Sequence, residues 1–132
     1  MNRTEARAAA MKLIYEWEMG GDGGEDTLAG ILEIKPGEEE YDYMRRMVDG
    51  VIERADELDR GIERFAQGWT IARLTKVDLA ILRLGAHELA LGEVPAGVAV
   101  NEAVELSRIY STDKAGSFIN GVLGSMMRAA QK

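Results

Sequence analysis

Apolar residues along this chain recur at helical spacing, and no stretch alternates polar and apolar positions long enough to predict a strand. Ala6, Ala9, Ala10, Leu13, Ile14 and Trp17 form one stripe, which predicts a first helix with Thr4 as its N-cap. Arg3, Arg7 and Lys12 fall mostly off that stripe. "GGDGGED" ends the helix as a link, since glycine readily takes the left-handed C-cap conformation. A short helix is predicted over 26–34, and "KPGEEE" then makes a turn and an acidic helix start that suits the helix dipole. From 39 to 65 the pattern stays helical in two stripes. Tyr41, Met44, Val48, Val51 and Ile52 make the first, and Leu58, Ile62 and Phe65 the second, with a break near Asp56. "QGWTIARLT" is a connection with room for one helical turn.

Thr75 and Asp78 resemble a capping box ahead of "KVDLAILRLGAHELAL", a segment apolar on most faces that belongs at the centre of the molecule. Gly92 ends it. "EVPAGVAV" reads as a loop, and "NEAVELSRIY" as a helix burying Val100, Ala103, Val104, Leu106 and Ile109. "STDKAG" then separates it from a last helix striped by Ile119, Val122, Leu123, Met126 and Ala130. The chain reads as all-α, with about seven helices joined by short connections.

Composition narrows the chemistry. With 132 residues, 46% of them hydrophobic and 30% charged, the chain can bury one core and stay soluble. No apolar run approaches the roughly 20 residues needed to span a bilayer, and the charged N-terminal segment is no secretory signal. The absence of cysteine excludes disulfides, thiolate metal sites and cysteine nucleophiles. His87 is the sole histidine, so neither a histidine metal cluster nor a Ser-His-Asp triad is expected. HExxH, GxSxG and GxxxxGK[ST] are all missing. Abundant carboxylates leave a carboxylate-only Mg²⁺ site open, although "GGDGGED" lacks the EF-hand spacing. No metal or cofactor is expected.

The formal net charge of −7 argues at first against a nucleic-acid partner, but its distribution is uneven. Residues 1–12 carry net +2, residues 106–132 net +3, and the stretch between them net −12. If the two ends meet in the fold they form one basic patch on an acidic body; the other reading is that charged ends serve solubility. Phe118 lies at the edge of the last stripe, where the polar run meets the helix, beside Asn120 and Gly121. It is either a core aromatic or a partly exposed ring at a helix N-terminus. There a base could stack on it while phosphate meets Lys114 and the free N–H groups. Tyr15 lies toward the Arg7 and Lys12 side and is either a contact or a half-buried tyrosine. Trp17 and Trp69 read as packing residues. His87 and Glu88 are adjacent on a helix and so face apart, which makes an acid–base pair a poor reading. The acidic run 38–42 reads first as a helix start.

The segment "LTKVDLAILRLGAHELALGEVPAGVAVNEAVELSRIYSTDKAGSFINGVLGSMM" resembles the NusB family of transcription antitermination factors. The shared features are the ILRLxxxEL helix, the VPxxVAxNEAVELx segment and the xFINGVL start of the last helix. "RTEARAAAMKLIYEWE" is similar to that family's opening helix, which is usually richer in arginine. The resemblance implies an all-helical fold of two small lobes, about 1–68 and about 69–132. It also implies binding rather than catalysis, and nothing in the composition points away from the cytoplasm. The partners that the resemblance implies are boxA-type single-stranded RNA, the small-subunit ribosomal protein NusE and the RNA polymerase antitermination complex; some family members also form homodimers. NusB-like domains at the front of ribosomal RNA cytosine methyltransferases are the enzymatic relatives, but no Gly-rich cofactor region follows here. The alternative is a helical protein-interaction module with no RNA binding of its own.

By position, the family's arginine-rich motif falls on Arg3 and Arg7, with Lys12 joining them. Its tyrosine matches Tyr15, its aromatic before Asn-Gly matches Phe118, and its polar loop matches 111–117, including Lys114. Asp78 matches an acidic position that contacts NusE. Two features depart from the family: only two arginines stand in the first seven residues, and His87 occupies the tyrosine position of "LYEL". Fewer basic residues imply weaker RNA binding by the chain alone and a shallower salt dependence.

Overall fold

The structure, a computed structural model, describes residues 2–21 and 38–131. The helix expected over 26–34 lies outside the described residues. Among these there are six α-helices and no strand: α1 (Arg3–Glu18), α2 (Glu39–Glu53), α3 (Ala55–Phe65), α4 (Lys76–Leu91), α5 (Ala96–Tyr110) and α6 (Asp113–Ala130). A 3₁₀ turn, Ile71–Arg73, precedes α4.

Three of the helices, α1, α4 and α6, start at side chains that satisfy otherwise unpaired amides. Asn2, not Thr4, caps α1. Its side chain accepts from the Glu5 amide at 2.8 Å while Glu5 accepts from the Asn2 amide at 3.1 Å, a complete capping box. Thr75 caps α4 through the Asp78 amide at 3.1 Å, and Thr112 caps α6 through the Ala115 amide at 3.2 Å. The break in the long helical stretch falls at Arg54 rather than Asp56. Pro95 opens α5 directly, so most of the expected "EVPAGVAV" loop is helix. α6 likewise begins at Asp113, which places Phe118 inside the helix rather than at its N-terminus.

α4 is the central rod. Every residue from Leu79 to Glu88 is buried, and the helix packs against α1, α2, α3, α5 and α6. Leu13, Ile14, Met44, Met47, Ile62, Ile81, Leu82, Ile119 and Leu123 fill one continuous core that draws on both halves of the chain. Two glycines permit the closest approaches. A Cβ on Gly85 would stand 2.6 Å from Leu123 Cδ1, so its absence lets α6 lie against α4. A Cβ on Gly50 would overlap the His87 ring, whose Nε2 would be 2.3 Å away. Ile109, expected in the core, is 63% exposed.

Candidate nucleic-acid interface

The corner between α5 and α6 is fixed from below by α4. Ser111 donates a 2.7 Å hydrogen bond to Asp78 Oδ1, which joins the first turn of α4 to the residue just after α5. Asp78 is half-buried, and one of its carboxylate oxygens is engaged in this clamp. Thr112 then starts α6, so the free amides of the first turn and the exposed Lys114 lie on the corner's surface. One turn further on, Phe118 is half-buried: one side joins the core and its ring tilts against Trp69, centroids 5.8 Å apart at 59°.

Trp69, expected as a packing residue in the "QGWTIARLT" connection, stands in that connection between α3 and α4 and packs against Phe118, yet it is 44% exposed. The Arg73 guanidinium lies over its ring, 4.9 Å from the centroid. Trp69 and Phe118 form a ridge between two grooves. One is walled by Arg73, Thr75, Asp78, Thr112 and Lys114, and the other by Gln67, Ser117, Gly121, Ser125 and Arg128. An aromatic in a Gly- and Thr-containing connection, followed four residues later by arginine, was the signal available in "GWTIAR".

The basic residues of α1 behave unequally. Lys12 Nζ lies 5.0 Å from the centroid of the Tyr110 ring, so it reaches the end of α5 beside the corner. Tyr15 is 37% exposed on the same helix. Arg3 is half-buried, bonded to Glu40 at 2.7 Å and stacked over Tyr43 at 3.9 Å.

Arg7 corrects the expectation that it lies off the apolar stripe and meets RNA. It is 3% exposed and grips Glu88 with two bonds, 2.8 and 3.1 Å, with Glu102 3.7 Å away. Burial works against its charge, but the Glu88 carboxylate outweighs it and raises the guanidinium pKa. Burial, and then the charge of Glu88, pushes the Tyr43 phenol above its ordinary range. Arg7 thus serves a buried charge pair at the C-terminal end of α4, while Arg3 ties α1 to α2. Phe118 and Asp78 lie toward the N-terminal end of α4, with about 15 Å of helix between Asp78 and Glu88. The single patch uniting Arg3 and Arg7 with Lys114 and Phe118 does not form; Lys12 is the α1 cation that reaches the corner.

On the far side of α4, Arg83 holds Asp59 at 2.7 and 2.8 Å and Glu18 at 3.2 Å. The His87 ring sits buried against Gly50, its Nδ1 3.3 Å from the Arg54 guanidinium. Burial first, and then the Arg54 charge, lowers its pKa.

The geometry is that of an all-helical module with a sealed core and an aromatic, cation-bearing corner. Among the described residues no cluster of His, Cys, Asp or Glu is arranged to hold a metal ion, and no helix is long and apolar enough to cross a membrane. The NusB family profile matches residues 4–128, and the chain belongs to that family. It is 43% identical over 130 residues to the transcription antitermination protein NusB of Acetivibrio thermocellus, covering 97% of this chain and 90% of the relative. It is 39% identical to the NusB of Thermoanaerobacter sp. strain X514, covering 97% and 91%. Among solved structures, antitermination factors NusB and NusE in complex with dsRNA superpose with a TM-score of 0.84 at 32% identity, over 96% of each chain. T. maritima NusB superposes with a TM-score of 0.86 at 30% identity, over 97% of this chain and 92% of that one.

Proposed function

We propose that this chain is a cytoplasmic transcription antitermination factor that binds boxA-type single-stranded RNA together with NusE. In this role it joins the antitermination complex on RNA polymerase and supports processive transcription of ribosomal RNA, by binding rather than catalysis. The observation that carries the RNA surface is the α5–α6 corner. Lys12 and Tyr110 converge on one side of it, Lys114 and the open first turn of α6 lie at its apex, and Phe118 follows one turn on. Tyr15 extends this surface along α1. Phosphates meet Lys12, Lys114 and the α6 amides, while bases stack on exposed rings.

Asp78, at the base of the same corner on a chain of net charge −7, attracts the basic partner, NusE. The two lobes, about 1–68 and about 69–132, meet along α4, and homodimer formation would compete with RNA for the exposed corner. Labelled boxA-type RNA is titrated with the chain, with and without NusE. Binding that strengthens with NusE and weakens in Lys114→Ala and Lys12→Ala supports the reading.

The second reading is a protein-interaction module without RNA binding of its own. It is favoured by the engagement of Arg3 and Arg7 with carboxylates. NusE binding with no RNA affinity under any condition selects it.

A further inference from the structure

We propose that Trp69 and Arg73 extend the RNA surface into a two-ring site, where an unpaired nucleobase rests against Trp69 and Phe118 and its phosphate meets Arg73 and Lys114. The inference rests on the RNA-binding reading above and assigns to it residues outside the α1 and α6 motifs.

Three observations converge. A tryptophan left 44% exposed in a connection costs hydrophobic stabilisation that burial would have supplied, and its ring already contacts a second aromatic at stacking range. The neighbouring cations, Arg73 at 4.9 Å from the indole centroid and Lys114 on the facing groove wall, stand outside the ion pairs that occupy Arg3, Arg7 and Arg83. The groove is also continuous with the corner, because Thr112 and Lys114 line it while belonging to the first residues of α6. A strand lying across Lys12 and Tyr110 therefore meets Lys114 next and the Trp69–Phe118 ridge after it. Flat rings flanked by guanidinium and ammonium groups recognise a base with its phosphate. Asp78, the one carboxylate on that groove wall, has an oxygen already bonded to Ser111.

The test uses the intact chain, NusE and a boxA-type oligoribonucleotide. Trp69→Leu keeps apolar bulk and removes the flat face. It is expected to leave the melting temperature and NusE affinity unchanged and to weaken RNA binding about 5- to 150-fold. Trp69→Phe restores most of the loss. Arg73→Ala makes the salt dependence shallower by about 0.7 in log–log slope. In a Trp17→Phe background, Trp69 fluorescence is expected to change as RNA is added. RNA affinity in Trp69→Leu equal to that of the parent overturns the site. A loss of NusE affinity in that variant also overturns it, by giving the groove to the protein partner. If the parent chain binds no RNA even with NusE, the RNA-binding reading itself fails, which the parent titration shows separately.

Discussion

The Arg7–Glu88 pair is closed off from water, so deleting one partner strands a charge in the core. Arg7→Ala is expected to lose about 3–5 kcal/mol of stability in urea unfolding. The double variant Arg7→Leu/Glu88→Leu recovers most of that loss, because no lone charge remains. RNA affinity of the folded double variant stays near that of the parent, which separates a structural Arg7 from an RNA contact. At Phe118 the two roles overlap. Phe118→Leu keeps the half-buried bulk and is expected to melt close to the parent, while losing about 1–3 kcal/mol of RNA binding; an unchanged RNA titration would remove the ring from the interface. His87 carries a pH dependence of definite sign. Its folded pKa is lowered, so below about pH 6.5 the unfolded chain takes up a proton that the folded chain resists. Stability is full above that pH and falls as pH drops from it through the lowered folded value. His87→Gln is expected to flatten the unfolding free energy below about pH 6.5, where the parent slopes downward.

The helix is the scale at which most of the sequence pattern proved readable. Periodicity placed α1, the pair α2 and α3, α4 and the end of α6 because each buries one stripe, or in α4 nearly the whole circumference. The starts were harder. Asn2 and Thr4 are both good caps, and only the reciprocal bond from Glu5 selects Asn2. Pro95 reads as a loop residue and as a helix opener equally well, and Thr112 is hidden in a polar run. Arg7 was misread for a different reason: its carboxylates stand 81 and 95 residues away, beyond any local pattern. Trp69 read as a packing residue, and it does pack on Phe118, but its 44% exposure had no local signal in the hydrophobic pattern. The clamp between α4 and the corner belongs to this scale too. Ser111→Ala removes the bond but spares the carboxylate, so about 1 kcal/mol of stability is lost while NusE affinity holds. Asp78→Lys repels a basic partner and is expected to lower that affinity; equal affinity at low salt removes Asp78 from the interface.

Over the whole molecule, charge is abundant but mostly committed. Arg3, Arg7, Arg46, Arg54, Arg83 and Arg108 are each bonded to carboxylates, on a chain of net −7. If Lys12, Lys114 and Arg73 meet phosphate as proposed, RNA binding by the chain alone is expected to show a log–log salt slope near −2, about 0.7 per contact. A slope of about −4 or steeper in a salt titration would mean that Arg3 and its neighbours release their carboxylates to bind RNA.

The Arg7–Glu88 bond also sets a schedule for the newborn chain. The two residues are separated by 81 positions, so at about 5–20 residues per second Arg7 exists for roughly 4–16 s before its carboxylate has been polymerised. Through that interval α1 has neither its ionic anchor nor the apolar wall of α4 to lie against. Ribosome-stalled chains ending near residue 70 should therefore leave α1 open to limited proteolysis. Chains long enough to release Glu88 from the exit tunnel should protect it, so the first helix made is among the last to dock.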